Sequence, residues 1–281
     1  MKRRARDLAL AMTLGLCACN WIFPLSDLRP DSLKEGPISA AAAAEGKSVL
    51  AKAAVAHGGE VWSEHQTWEV VLEDRWSDRP LIERRSPWPD GSKWLKFQFA
   101  PGSGDGRVEF LDGPEEGAIW GLAGGRTYSL DPGQEVIWDE APAMASRLPT
   151  MQFLIEFPQR ITEAPFIGHV GQEEIDGHAT EVVFASWGSV APHPDYDQFL
   201  IYVDVETDHL VAMEYTVRKS GRTLLGHRLW RDLKDVDGAL VPFFQTSLLS
   251  FDGDEPVHSF FVRELGFDTV APILLSAPGE G

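Results

Sequence analysis

From about residue 66 onward, apolar side chains recur at every second position, and this period constrains the fold more than any other feature of the 281-residue chain. Trp68, Val70, Leu72, Asp74 and Trp76 alternate with Glu69, Val71, Glu73 and Arg75. Leu95, Phe97 and Phe99 alternate with Trp94, Lys96 and Gln98. Phe199, Ile201, Val203 and Val205 share one face, as do Val211, Met213, Tyr215 and Val217. The pattern continues over 223–231, 241–251 and 257–265, with shorter stretches at 107–111, 117–122, 126–130, 134–138, 168–175 and 179–186. Turn sequences separate many of these: Gly124-Gly125, Asp131-Pro132-Gly133, Asp176-Gly177, Asp237-Gly238 and Asp252-Gly253. Connections this short join antiparallel neighbours, because a parallel pair needs a crossover of a dozen or more residues.

One helix precedes this pattern, and one stretch, 142–165, breaks it. Ser39 is placed to cap a helix that starts in the alanine run Ala40–Ala44, continues to Ala56 and stops at Gly58-Gly59. Its apolar stripe is Val49, Leu50, Ala53 and Ala56. Residues 142–165, with Met144, Leu148, Met151, Phe153, Leu154 and Phe157, predict one or two short helices ended by Pro158 and Pro165. The fold class is therefore mainly β, of the α+β kind: about a dozen antiparallel strands, an N-terminal helix and a short helical insert. Twist of roughly 20–25° per strand pair curls so long a sheet into an open or closed barrel. With 10 Trp, 15 Phe and 4 Tyr, its apolar concave face must be filled by a helix or by a ligand.

The first residues read as an address. Lys2, Arg3, Arg4 and Arg6 precede an apolar run, Leu8 to Leu16, of about nine residues, too short to span a bilayer that needs about 20. Leu16-Cys17-Ala18-Cys19 resembles a bacterial lipobox, which implies cleavage before Cys19 and a diacylglycerol on its thiol. By the same resemblance, Asn20 beside the anchor favours the outer membrane of a bacterial envelope, facing the periplasm or the cell surface. Both cysteines lie in this window, so the body holds no disulfide framework or thiolate metal site. The organisation expected is a signal peptide over 1–18, a tether over 19–39, one domain over 40–275 and a tail over 276–281. The net charge of -18 argues against a nucleic-acid partner and against binding to anionic head groups, so attachment to the membrane falls to the lipid anchor.

A family resemblance enters at His57-Gly58-Gly59, which closes a helix and is followed by Trp62 and a strand from Trp68. With the later Leu200-Ile201-Tyr202-Val203-Asp204-Val205-Glu206-Thr207, Leu210 through Tyr215, and Gly238 before Pro242-Phe243, it is similar to the lipoprotein-carrier-like (LolA/LolB-like) superfamily. The resemblance covers residues 45–267. It implies a curved antiparallel half-barrel with helices on the concave side and an apolar cavity for acyl chains. The expected function is a membrane-anchored envelope lipoprotein that binds lipid or lipoprotein acyl chains, with Leu72, Phe97, Val203 and Met213 as candidate ligand-lining residues. The alternative is a structural or protein-interaction lipoprotein with a solid core, docking an envelope protein.

Catalysis finds little support. His193-Pro194-Asp195-Tyr196-Asp197 gathers an imidazole and two carboxylates, and reads first as a polar loop opening a hairpin. Asp252-Gly253-Asp254-Glu255 lacks the ligand spacing of a calcium loop. The eight histidines include no i, i+4 pair, and no G-x-S-x-G elbow is present. Gly102-Ser103-Gly104-Asp105-Gly106 is a glycine-rich loop with no helix after it to hold a phosphate. The expectation is a non-enzyme with no cofactor and no metal.

Overall fold

In a computed structural model, the structure describes residues 24–79, 86–219, 221–253 and 255–275. The signal peptide, Cys19 and the tail after residue 275 lie outside these. Thirteen strands form one antiparallel sheet: β1 (Trp68–Trp76), β2 (Trp94–Phe99), β3 (Gly106–Phe110), β4 (Ile119–Ala123), β5 (Arg126–Leu130), β6 (Ile137–Trp138), β7 (Phe166–Ile175), β8 (His178–Ser186), β9 (Gln198–Asp204), β10 (Leu210–Thr216), β11 (Leu225–Val236), β12 (Ala239–Leu248) and β13 (Pro256–Phe267). The spatial order is β6-β5-β4-β3-β2-β1-β13-β12-β11-β10-β9-β8-β7. The chain thus runs outward from the middle as one meander, crosses through the insert to the far edge, and returns as a second meander whose last strand pairs with β1. β6 and β7 stay unpaired with each other, so the sheet curls without closing, as expected of a half-barrel. Register shifts at Val71/Leu72, His169/Gly171, Leu210/Ala212 and Ser247/Leu248 are bulge-like breaks of the kind that increase local bend and twist. The Asp176-Gly177 and Asp237-Gly238 turns take positive φ at both residues, the two-residue hairpin whose twist matches that of its strands.

Among the described residues the helices are α1 (Asp31–Lys34), α2 (Ala40–Ala56), α3 (Gly59–Glu64), α4 (Met144–Ile155) and α5 (Phe157–Arg160), with 3-10 turns at Ile161–Glu163 and Pro272–Leu275. The Ser39 Oγ accepts from the Ala42 N–H at 3.1 Å, the cap expected of it. The buried stripe of α2 is Gly46, Leu50 and Ala53, continued by His57 just past its end and turned slightly from the one expected. A Cβ at Gly46 would stand 2.7 Å from the backbone nitrogen of His169, so glycine lets α2 lie against β7. Pro158 starts α5 instead of ending a helix. At the second helical position its missing N–H has no intrahelical acceptor to lose.

One continuous core takes side chains from both arms of the sheet and from the helices between them. It includes Phe97, Phe110 and Leu122 on one arm, Ile167, Val183 and Ile201 on the other, and Leu50, Leu148 and Phe157 in the middle. α2 packs on β7–β9 and α4 on β3–β5. A smaller cluster of Val182, Tyr202, Val211, Ala212, Leu229 and Leu248 lies apart from it, in strands β8–β12.

The second half of the expected tether is docked. Arg218 donates to the Ser26 carbonyl at 2.6 Å and to its hydroxyl at 2.8 Å, and the Leu28 N–H donates to the Gln198 Oε1 at 3.1 Å. Leu28 and Leu33 are buried. Two leucines that find apolar cover hold this stretch on the body, a gain that a Pro- and Ser-rich composition does not reveal.

Candidate functional site

The candidate ligand-lining residues all face the core. Leu72, Phe97, Val203 and Met213 are each at most 1% exposed. Leu72 lies opposite Leu95 and Phe97 opposite Val70 on β1 and β2. Met213 on β10 lies opposite Ile201 and Arg228, and Val203 on β9 opposite Leu210. They form two groups, one in the β1–β2 part of the sheet and one in the β9–β10 part, joined through the same core.

Buried side chains of one cluster connect them. A void of about 10 Å³ lies among His57, Leu154, Ile155, Pro158, Leu210, Trp230 and Pro242, no more than one water molecule needs. A hollow of about 620 Å³ at Asp131–Ile137 belongs to the β5–β6 turn, away from the core.

The insert is fastened to β1 and to the 100–104 loop by Glu156, Gln152 and Arg160. Glu156, 3% exposed, follows α4. Its Oε1 accepts from the Trp68 Nε1 at 2.7 Å and the Gln152 Nε2 at 2.8 Å, and its Oε2 from the Gly102 N–H at 3.1 Å. Gln152 in turn donates to the Ala100 carbonyl and accepts from the Gly104 N–H, both at 2.8 Å. Arg160 donates to the Gly102 carbonyl at 3.2 Å. Burial pushes the Glu156 carboxyl up from its ordinary range, against the opposing pull of these donors and of Arg160. One N–H of the glycine-rich loop, that of Gly102, thus points at a carboxyl group of its own chain.

At the other end of α2, His57 is a neutral lock. The Leu210 N–H donates to its Nε2 at 3.0 Å, so the proton sits on Nδ1, which donates to the Leu240 carbonyl at 2.9 Å. Burial, with His209 nearby, pushes its pKa down to about 4 although the Leu240 carbonyl pulls upward. The Asp204 of the 200–207 motif closes its hairpin. Its Oδ1 accepts from the Glu206 and Thr207 N–H groups at 2.9 and 2.8 Å and from the Thr207 hydroxyl at 2.9 Å, while Oδ2 faces the His178 Nδ1 at 2.7 Å. Against the upward push of burial these partners hold it down to about 2.

Near the rim, the core-facing surface of the sheet turns polar. Cross-strand register places Met213, Arg228, Ser247, His258 and Trp76 in one row over β10, β11, β12, β13 and β1. The adjacent row is Trp230, Gln245, Phe260 and Asp74. Arg228 is 2% exposed, with its guanidinium 4.9 Å from the Phe260 ring centre and its Nη1 donating to the Gln245 Oε1 at 3.1 Å. Asp74 accepts from the Trp88 Nε1 at 2.5 Å and is hydrogen-bonded to His258, on which Trp76 stacks. Asp74, His258 and Ser247 are the residue types of a hydrolytic triad, yet the Ser247 Oγ has no hydrogen-bond partner, so the contact between nucleophile and base is missing. The sequence carried a signal for this patch: Asp74 and Arg228 stand in phase with buried apolar neighbours.

The other polar candidates serve the fold. His193 lies 3.8 Å from the exposed Asp195, while Asp197 turns away to accept from Thr216 and from the Arg218 N–H. Among the described residues no three His, Cys, Asp or Glu side chains converge as metal ligands, and no helix is long and apolar enough to cross a membrane.

No family profile matches the sequence, and no curated protein does. Solved structures do match the fold. A protein domain from Vibrio parahaemolyticus described as an outer membrane lipoprotein-sorting domain is 12% identical, covers 82% of this chain and 94% of its own, and gives a TM-score of 0.50. A LolA superfamily protein from Nitrosomonas europaea is 13% identical over 83% of this chain and 97% of its own, with a TM-score of 0.49. At such identity it is the fold that is shared, and the half-barrel expected from the lipoprotein-carrier resemblance is the architecture found.

Proposed function

We propose that this protein is a cell-envelope lipoprotein, anchored through Cys19, that takes an acyl chain against the concave face of its half-barrel. The observation that carries the reading is an aromatic and aliphatic concave face covered by an insert whose polar attachment runs through Glu156 and Gln152. Leu72, Phe97, Val203 and Met213 are buried in one core, so a chain reaches them where α4 lifts from β3–β5. The apolar packing that the helix gives up is then replaced by packing against the ligand, at about 0.8 kcal/mol per buried CH₂. The shared fold of a domain described as lipoprotein-sorting supports the same reading. The reading is non-catalytic: the ligand is held and handed on without bond cleavage. At most seven chain steps separate Cys19 from the docked Ser26, a reach of about 25 Å, so the body works close to the membrane that holds its anchor.

A second reading has its own support. The void of about 10 Å³ is what a solid-core docking lipoprotein would show. Native mass spectrometry of the Cys19→Ala chain purified from bacteria separates the two. Acyl binding predicts co-purified lipid at about one per chain. A bare chain that also takes up no added fatty acid supports the solid core. Metabolic labelling with an alkyne fatty acid tests the anchor: the wild-type chain takes label and Cys19→Ala does not.

A further inference from the structure

Of the six buried polar side-chain atoms without a hydrogen-bond partner among the described residues, four lie in the two polar rows: Nε of Arg228, Nε2 of Gln245, Oγ of Ser247 and Nε1 of Trp76. Three are N–H donors and the fourth is a hydroxyl. Arg228 and Ser247 are direct cross-strand neighbours, Gln245 is bonded to Arg228, and Trp76 extends the row beyond His258. Arg228, Gln245 and Ser247 are 2%, 0% and 6% exposed. Among the described residues no carboxylate comes within ion-pair distance of Arg228. The nearby carboxylate of the patch, Asp74, is already engaged by Trp88 and His258 and sits on the far side of Phe260. A buried guanidinium without a counter-charge is among the costliest groups a core can hold, and unpaired donors around it add to that cost.

We propose that this patch is an oxyanion site, and that the ligand is an amphiphile whose carboxylate or phosphate is received by Arg228, Gln245 and Ser247. The placement fits such a molecule. Arg228 is the fourth residue of β11, Ser247 the ninth of the ten in β12, and Trp76 the last of β1, so the patch lies at the rim of the half-barrel. Met213 in the same row leads directly into the apolar core, so a head group held at the rim would send its tail along the concave face. Planar donors of a guanidinium with a neighbouring amide and hydroxyl match the lone pairs of an oxyanion. The amphiphile half of the proposal rests on the acyl-binding reading. The anion half stands on the unpaired donors.

The test is titration calorimetry on the full Cys19→Ala chain with four probes: dodecanoate, dodecyl phosphate, dodecanol and inorganic phosphate. The expected result is that both anionic dodecyl compounds bind about tenfold more tightly than dodecanol. The stronger of the two tells a carboxylate source from a phosphate source. Arg228→Met, which keeps the volume and removes the charge, should erase the preference. Ser247→Ala, a milder change, should reduce it several-fold with the thermal midpoint nearly unmoved. Dodecanol binding as tightly as the anions overturns the oxyanion site and leaves acyl binding standing. Inorganic phosphate that binds wild type but not Arg228→Met, with no dodecyl compound bound, does the reverse. A preference unchanged in Arg228→Met, or no binding of any probe, overturns the proposal.

Discussion

A single imidazole ties the N-terminal helix to the returning meander. His57 ends α2 with both ring nitrogens engaged by strands β10 and β12, and it is neutral in the fold. Its pKa is about 4 when folded, against about 6.5 in an unfolded chain. Above pH 6.5 both states are neutral and the group adds no pH dependence. As pH falls from 6.5 towards 4 only the unfolded chain takes up the proton, so stability drops, by about 3 kcal/mol for a shift of this size. Denaturation of wild type and His57→Asn at several pH values checks this. The stability gap between them should narrow by about that amount from pH 7 to pH 4, and a constant gap would mean the buried imidazole is not neutral. Asp204 acts in the same direction in a lower pH window. Its carboxylate is held down, so its contribution is present above about pH 4 and fades as pH falls towards 2. Asp204→Ala removes the acceptor of three donors in one hairpin and should cost about 2–3 kcal/mol at pH 7. A change under about 0.5 kcal/mol would show the turn to be self-sufficient. Both residues are visible in the sequence as members of a family-like pattern, but their hydrogen-bond partners are not. His57 bonds residues more than 150 positions away, and no local period records that.

Strands and helices are legible in the sequence to different degrees. Alternation locates the strands because one face of each meets the core, and turn pairs such as Asp237-Gly238 mark where they end. The Ser39 cap and the alanine run locate α2. The insert reads as helical and is helical, but Pro158 opens a helix where the sequence suggests an end, since proline begins helices as readily as it ends them. What composition hides is the fastening of the insert. Glu156 and Gln152 look like ordinary surface polar residues of a helix, and only the sheet's curl brings Trp68 and the 100–104 loop over them. Glu156→Ala leaves the Trp68, Gln152 and Gly102 donors buried without an acceptor, at an expected cost of about 2–4 kcal/mol. The loss should be local. Hydrogen exchange should quicken across α4 and residues 100–104 while β9–β12 keep their protection. Uniform acceleration throughout the sheet would contradict a separable insert.

At the scale of the whole molecule, curvature does the organising. One meander runs from the centre of the sheet to one edge, a second returns to the centre from the other edge, and the pairing of β1 with β13 joins them. The sequence shows which strands are neighbours through short turns, yet says nothing about the β1–β13 pairing, whose partners are nearly 200 residues apart. It also leaves open which face is concave, because a one-residue register error exchanges the two sets. The structure assigns Leu72, Phe97, Val203 and Met213 to the interior and shows that interior closed by α2 and α4. In the proposed function an acyl chain takes the place of α4 against the concave face. Photo-crosslinking of the Cys19→Ala chain with a diazirine-bearing fatty acid, read out by peptide mass spectrometry, tests it most directly. Adducts are expected on core-facing residues such as Phe97, Leu122, Leu148 and Met151. Adducts confined to exposed residues such as Leu249 and Val205, or none above the level of an unfolded control, would contradict it.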